Sequence, residues 1–318
     1  MSTGLNRRNF LKRTMVAAGL PIRTLGQARA LADDGAALPI VDTHQHLWDL
    51  ERLRLPWLSQ AKHLARSYRI RDYLRASRGL NVVKTVYMEV DVDPAQHDLE
   101  AKIVIDLCQR RDNPMVAAVI SGRPGSEGFR DYILRYKDSP YIKGVRRLLH
   151  QSETPPGHCL SKQFIASVRL LGELGMSFDL HPRVAELPDA ARLAEACPDT
   201  RFVLDHCGGA RPGAKDLSGW RQGMAKVAEL KNTVCKVSGI VAGAPEGWRV
   251  DHLAPIINHT IDTFGPERVM FASDWPVCTR RATFQQWVEA LRTITADRPI
   301  AELRKLWHDN AVQFYGLA

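Results

Sequence analysis

Ile40-Val41-Asp42-Thr43-His44-Gln45-His46 is a short β-branched run that ends in two histidines spaced by one residue. Residues two apart in extended backbone project to the same side, so both imidazoles can converge on one ion. A doubly wound open sheet announces itself with a glycine-rich phosphate turn after its first strand. Here the first strand ends in histidines instead. Working outward, further strand patterns fall at Val82–Val90, Met115–Ser121, Ile142–Leu148, Ser177–His181, Arg201–His206, Thr233–Ser238 and Arg268–Ser273, which with Ile40–His44 makes eight. Amphipathic stretches alternate with them at Asp98–Arg111, Gly128–Tyr136, Lys162–Leu174, Asp189–Ala196, Leu217–Leu230, His252–Phe264 and Thr283–Ile294, and Ala301–Tyr315 reads as a closing helix. Eight β/α repeats in roughly 280 residues predict a single-domain (β/α)8 TIM barrel over residues 31–318, in which the first strand's end opens onto the catalytic face. Gly208-Gly209-Ala210-Arg211-Pro212-Gly213-Ala214-Lys215 has the outline of a phosphate loop, but Ala214 stands where the lysine belongs, and it reads as an ordinary loop.

Ligand-type residues recur at other strand ends: Phe178-Asp179-Leu180-His181 in the fifth, Val203-Leu204-Asp205-His206 in the sixth and Phe271-Ala272-Ser273-Asp274 in the eighth. A buried imidazole or carboxylate must be paired, hydrogen-bonded or metal-bound, so their convergence on one rim points to a functional site. Glu89, in Tyr87-Met88-Glu89-Val90, is either a further ligand or a salt-bridge partner. Arg146 lies beside Arg147, and alternation sends only one of them inward; the inward guanidinium would offer a planar fork to a substrate carboxylate or lactone oxygen. Arg183 is a second candidate anchor, and Trp48 and Trp275 are candidates for a pocket wall or for packing. The remaining histidines, His63, His97, His150, His158, His252, His259 and His308, show no convergent spacing and read as surface or capping residues.

The set Asp42-Thr43-His44-Gln45-His46, Gly144-Val145-Arg146, Leu204-Asp205-His206-Cys207-Gly208, Ala272-Ser273-Asp274-Trp275-Pro276 and Asn310-Ala311-Val312-Gln313-Phe314-Tyr315-Gly316 resembles the amidohydrolase superfamily, in its sugar-lactonase and dicarboxylate-lactonase branch. The likeness spans residues 39–317. It implies a hydrolase that opens a small-molecule lactone. It also implies that His44 and His46 are first-strand metal ligands, that His181 and His206 hold the fifth- and sixth-strand positions, and that Asp274 is the aspartate that activates the hydrolytic water. Glu89 or His181, together with Asp274, would complete the shell of one divalent metal ion, zinc or manganese, and Asp274, His206 and His181 would carry catalysis, with Arg146, Arg183 and Trp275 holding substrate. Binuclear members of the superfamily carry a lysine where this chain has His181, which disfavours a second metal. Some lactonases of this branch use one ion and others none, so the dependence on metal stays open. A metal-dependent decarboxylase of the same superfamily and an exported ligand-binding barrel without turnover are the alternatives.

The formal charge is +9, but Arg7, Arg8, Lys12, Arg13, Arg23 and Arg29 supply six of those charges before residue 31, with no acid among them. The remainder carries +3 and no basic run, which argues against a nucleic-acid partner. Asn6-Arg7-Arg8-Asn9-Phe10-Leu11-Lys12, an apolar stretch from Met15 to Ile22, and Ala28-Arg29-Ala30 together resemble a twin-arginine signal peptide over residues 1–30, which would address the chain to the twin-arginine export machinery and the periplasm. The apolar stretch falls short of the ~20 residues that a membrane span needs. Six scattered cysteines without a Cys-x-x-Cys pair read as buried free thiols. A homo-oligomer is compatible with this composition, and no Gly-x-Ser-x-Gly elbow is present for a serine nucleophile.

Overall fold

The computed structural model describes residues 38–317; the predicted signal segment lies outside them. Eight parallel strands run in chain order: β1 (Ile40–Gln45), β2 (Val82–Met88), β3 (Met115–Ser121), β4 (Ile142–Leu148), β5 (Ser177–His181), β6 (Arg201–Leu204), β7 (Thr233–Val237) and β8 (Val269–Phe271). Each pairs with the next, and helices between them cover the outside, giving the expected single-domain (β/α)8 barrel. Two of the longer helices start where a side chain satisfies free amides of the first turn. Ser161 Oγ accepts from Phe164 N ahead of Lys162–Glu173, and Thr283 and Gln286 cap each other's backbone ahead of Phe284–Thr295. Helix Ile70–Ala76, between β1 and β2, was not legible in the sequence, because a long aromatic-rich loop precedes it and only seven residues form it. The closing segment is also not one helix: a π turn at Lys305–Asp309 separates Ile300–Arg304 from Asn310–Tyr315.

Alternation divides each strand between two cores. Val41, Val86, Met88, Ala117, Val119, Val203 and Met270 fill the barrel's lower interior, where Tyr315 and Leu317 of the C-terminal segment join them as a floor. Tyr87, Ile120, Val145, Phe178, Leu180, Phe202 and Leu204 face the helices. All six cysteines are free and buried. No described helix is long and apolar enough to cross a membrane.

The barrel closes between β1 and the segment that follows β8. His46 N donates to Trp275 O at 2.8 Å and Asp274 N to His44 O at 3.0 Å, and Thr43 Oγ1 donates to Phe271 O at 2.7 Å. Asp42, fully buried, holds this seam. Its Oδ1 accepts from Ser273 N at 2.8 Å and His44 N at 3.2 Å, and its Oδ2 accepts from the Tyr73 hydroxyl at 2.7 Å. Hydrogen bonds to a buried charged group are worth about 1.5–3 kcal/mol each. Tyr73→Phe is therefore expected to lower unfolding free energy by about 2 kcal/mol in urea melts, with an unchanged m-value; a loss below 0.5 kcal/mol would show that Asp42 does not rely on this donor.

Candidate functional site

Inside the barrel, between the apolar floor and the open rim, lies a layer of buried charges. Arg146 points inward from β4 and Arg147 outward, where its Nη1 donates to Pro124 O at 3.1 Å. Arg146 is 4% exposed and donates through Nε to Glu89 Oε1 at 2.6 Å, through Nη2 to Glu89 O at 2.9 Å and through Nη1 to Asp205 Oδ2 at 3.2 Å. Lys236, on β7 and wholly buried, sits 2.5 Å from Asp179 Oδ2 and 3.4 Å from Asp205 Oδ1. Burial penalises each of these charges. The two cations nevertheless hold Asp205 well below the usual carboxylate range, and Arg146 holds Glu89 below it, while the acids keep Lys236 and Arg146 protonated.

His44 rests on this layer. Its Nε2 lies 3.1 Å from Arg146 Nη1, which can only donate, so the imidazole accepts there and carries its proton on Nδ1, 3.4 Å from Asp205 Oδ1. His46 Nδ1 donates to Met88 O at 3.0 Å, which leaves Nε2 as a free lone pair 3.4 Å from Asp274 Oδ1. His206 is fixed through Nδ1, 2.8 Å from Ser238 Oγ, and packs against Gly239, where a Cβ would meet its ring at 2.4 Å. Burial pushes His44, His181 and His206 below the ordinary imidazole range, so they are neutral near pH 7.

Two of these residues, His206 and Asp274, depend on unusual backbone. Asp274, at the end of β8, has φ 55°, and residues 206–209, after β6, are all left-handed, with φ 55°, 49°, 66° and 75°. For non-glycine residues such conformations cost about 1–3 kcal/mol each and persist only where the surroundings fix them. Trp220 Nε1 pins the second turn by donating to Cys207 O at 2.8 Å.

The donor chemistry suits a small divalent cation. One donor atom from each of His44, His206 and Asp274 lies within 4.8 Å of the others, and ligands about 2.1 Å from a shared ion stand about 3.4 Å apart, the separation seen between His46 Nε2 and Asp274 Oδ1. His46 and Asp274 offer free lone pairs, and His206 Nε2 offers a lone pair or an N–H according to whether Ser238 accepts from its Nδ1 or donates to it. The His44 Nε2 lone pair is shared with Arg146, so an ion bound at that atom would replace the Arg146 hydrogen bond.

A cavity of about 450 Å³ opens onto this rim, and His46, Arg146, His181, His206 and Asp274 all line it. Glu89 takes the salt-bridge alternative: Oε1 is held by Arg146, and Oε2 accepts from Ser121 Oγ at 2.9 Å and Asp91 N at 2.6 Å. Arg183 lies outside the cavity lining. It pairs with Glu186 at 2.8 Å and donates to Gln151 O and Thr154 O, bracing the loop after β4. Trp275 does not line the cavity either: it is 3% exposed and packed edge-on against Tyr68 and Tyr73. Trp48 and Trp57 form the aromatic wall. His150 is exposed, as read, and also lines the cavity, with its ring 4.1 Å from that of His181. Lys236 and Asp205 were missed as supporting residues. The signal for Lys236 was a charge inside the run Thr233-Val234-Cys235-Lys236-Val237, whose burial demands a partner.

Removing one member of a buried ion network leaves its partner uncompensated, at about 3–5 kcal/mol. Lys236→Met is expected to destabilise the fold by that amount in denaturant titration, and adding Asp179→Leu should recover part of it. Equal stability of Lys236→Met and wild type would show that the layer does not need this cation.

Residues 41–317 match the sequence profile of the family described as Amidohydrolase. The chain is 26% identical to an L-fucono-1,5-lactonase of Burkholderia multivorans over 87% of this chain and 96% of that protein. It is 22% identical to an L-rhamnono-gamma-lactonase of Scheffersomyces stipitis over 87% and 98%. An amidohydrolase structure from Burkholderia multivorans with bound zinc superposes with a TM-score of 0.77 at 24% identity, over 88% of this chain and all of that one. The profile match runs from β1 through the C-terminal floor and so takes in every strand that builds the rim: the chain belongs to the amidohydrolase family and is a hydrolase.

Proposed function

We propose that this protein opens a lactone ring of a sugar-acid or dicarboxylate type by hydrolysis, assisted by one divalent metal ion, zinc in the first instance. The observation that carries the reading is the convergence of His44, His46, His206 and Asp274 beside one cavity sized for a small ring, which the last three line. The names of the two lactonase relatives and the zinc of the related structure support it.

His44, His46 and Asp274 would hold the ion, with His206 beside them; when bound, it supplies a Lewis acid for the water or the carbonyl. Asp274 takes a proton from the attacking water and returns it to the departing ring alkoxide. His206 and His181, whose rings lie 4.8 Å apart in the cavity lining, would donate toward the carbonyl oxygen as charge develops there. Arg146 acts from below: clamped by Glu89 and Asp205, it holds positive charge under the reacting centre, and its contact with His44 Nε2 would give way to the ion. Glu89 and Trp275 position these groups, and Arg183 shapes the loop bordering the cavity.

Purified protein is expected to contain about one zinc or manganese per chain and to release acid from sugar and dicarboxylate lactones in a pH-indicator assay, with activity lost to chelator and restored by zinc. Asp274→Asn should lower kcat by about 10²–10⁴-fold; near-wild-type turnover with metal content unchanged would remove Asp274 from the role of base. Carbon dioxide release from an aromatic or enoic acid, without acid release from any lactone, would replace this reading with the decarboxylase.

We also propose that residues 1–30 direct export through the twin-arginine machinery. A fusion of residues 1–37 to a fluorescent reporter should reach the periplasm, and Arg7→Lys together with Arg8→Lys should retain it in the cytoplasm; export of both forms would refute the assignment.

A further inference from the structure

We propose that Arg211 forms an anion subsite at the cavity mouth and selects lactones that bear a carboxylate on the ring's side chain. The inference deepens the lactonase reading by naming the substrate class.

The cavity has two arginines in its lining, Arg146 and Arg211. Arg146 is not free to take a substrate carboxylate, since its fork is already filled by Glu89 and Asp205. Asp91, the carboxylate nearest the other side of the mouth, is engaged by Arg123 Nη2 at 3.0 Å and Gln151 Nε2 at 2.6 Å. Arg211 differs from both. It is solvent-exposed, lines the same cavity as Asp274 and His206, and makes no ion pair among the described residues. A guanidinium with an unpaired fork at the edge of a concave site is matched in shape by a carboxylate, which it can bind through two parallel hydrogen bonds.

The chain also delivers Arg211 to this place by a fixed route. The left-handed turn of residues 206–209 reverses the chain directly after β6, and Gly209 and Ala210 bring backbone to the cavity wall. Gly208 is pressed so closely to Met224 that a Cβ would meet its sulfur at 2.6 Å, and its N donates to Asp205 O at 3.0 Å. On the far side, Pro212 sets its own φ and Ala214 N donates to Arg211 O at 3.2 Å, closing a turn over Arg211–Ala214. His206 and Arg211 are thus carried by one continuous segment of the cavity lining, the first to approach the reacting ring and the second the substituent that projects from it. The glycine-rich stretch that lacks a phosphate loop's lysine serves as this mount.

Two matched pairs of probes test the proposal. Glucaro-1,4-lactone and glucono-1,4-lactone differ in carrying a carboxylate or a hydroxymethyl group at the chain end. In steady-state kinetics on the zinc-loaded full chain, Arg211→Gln is expected to raise KM for the first at least tenfold more than for the second, with kcat for both within threefold, and Arg211→Lys should restore part of the difference. The open-chain acids glucarate and gluconate give a readout that needs no turnover. Glucarate should raise the thermal midpoint of wild type more than gluconate does, and Arg211→Gln should erase that difference. Equal KM changes for both lactones, or undiminished discrimination between the two acids in Arg211→Gln, would overturn the subsite. Absence of lactone turnover with the glucarate preference intact and Arg211-dependent would overturn the lactonase reading and leave the subsite standing.

Discussion

The carboxylate of Asp205 lies at the centre of the barrel between Arg146, Lys236 and His44, and the upper half of the molecule is organised around that contact. Two full cations inside a barrel would each carry a desolvation penalty of several kcal/mol. Asp205 faces both, and Glu89 and Asp179 take the second side of each, so the buried charges are nearly balanced within one layer. At an effective dielectric of about 20, unit charges 4 Å apart interact by about 4 kcal/mol, enough to hold such a layer only when every donor is placed. The consequence for the site is orientation: Arg146 at Nε2 and Asp205 beside Nδ1 set the tautomer and the orientation of His44.

The barrel is therefore stratified. Aliphatic side chains and the C-terminal Tyr315 and Leu317 close its base, the ionic layer crosses its middle, and imidazoles with one carboxylate crown its rim. The rim is where strain is stored. Asp91, His206, Cys207 and Asp274 all take left-handed backbone although none is glycine, and all four sit just beyond strand ends. Backbone of that kind is stable here because the layers beneath are rigid and closely packed.

The strands were legible because β-branched runs bounded by glycine or proline recur at a nearly constant interval, and the rim ligands were legible because His44, His46, His181, His206 and Asp274 stand at the ends of those runs. Partnership was not. Whether Glu89 faced an ion or an arginine depended on Arg146, 57 positions away, and alternation alone could not say which of Arg146 and Arg147 turned inward. Arg183 follows its strand by two residues, as a pocket residue would, yet a helical turn directs it to Glu186 and to carbonyls of a neighbouring loop. His150 and Arg211 reach the cavity on loops, whose course is set by tertiary contacts that carry no periodic signal.

The joint between β1 and the chain after β8 links residues 228 to 231 positions apart, through Thr43 and Phe271, His44 and Ser273, and Asp42 and Ser273. These are among the most distant partners in the fold, and closing so large a loop is slow because its entropy must be lost before the contact forms. His44 and His46 stand on one lip of that joint and Asp274 on the other. The pairing of His46 with Asp274 is then complete only once the barrel is closed. In the reverse direction, a chain that loosens along this line parts its imidazoles from its carboxylate while the remaining repeats are still paired, so that loss of chemistry precedes loss of secondary structure.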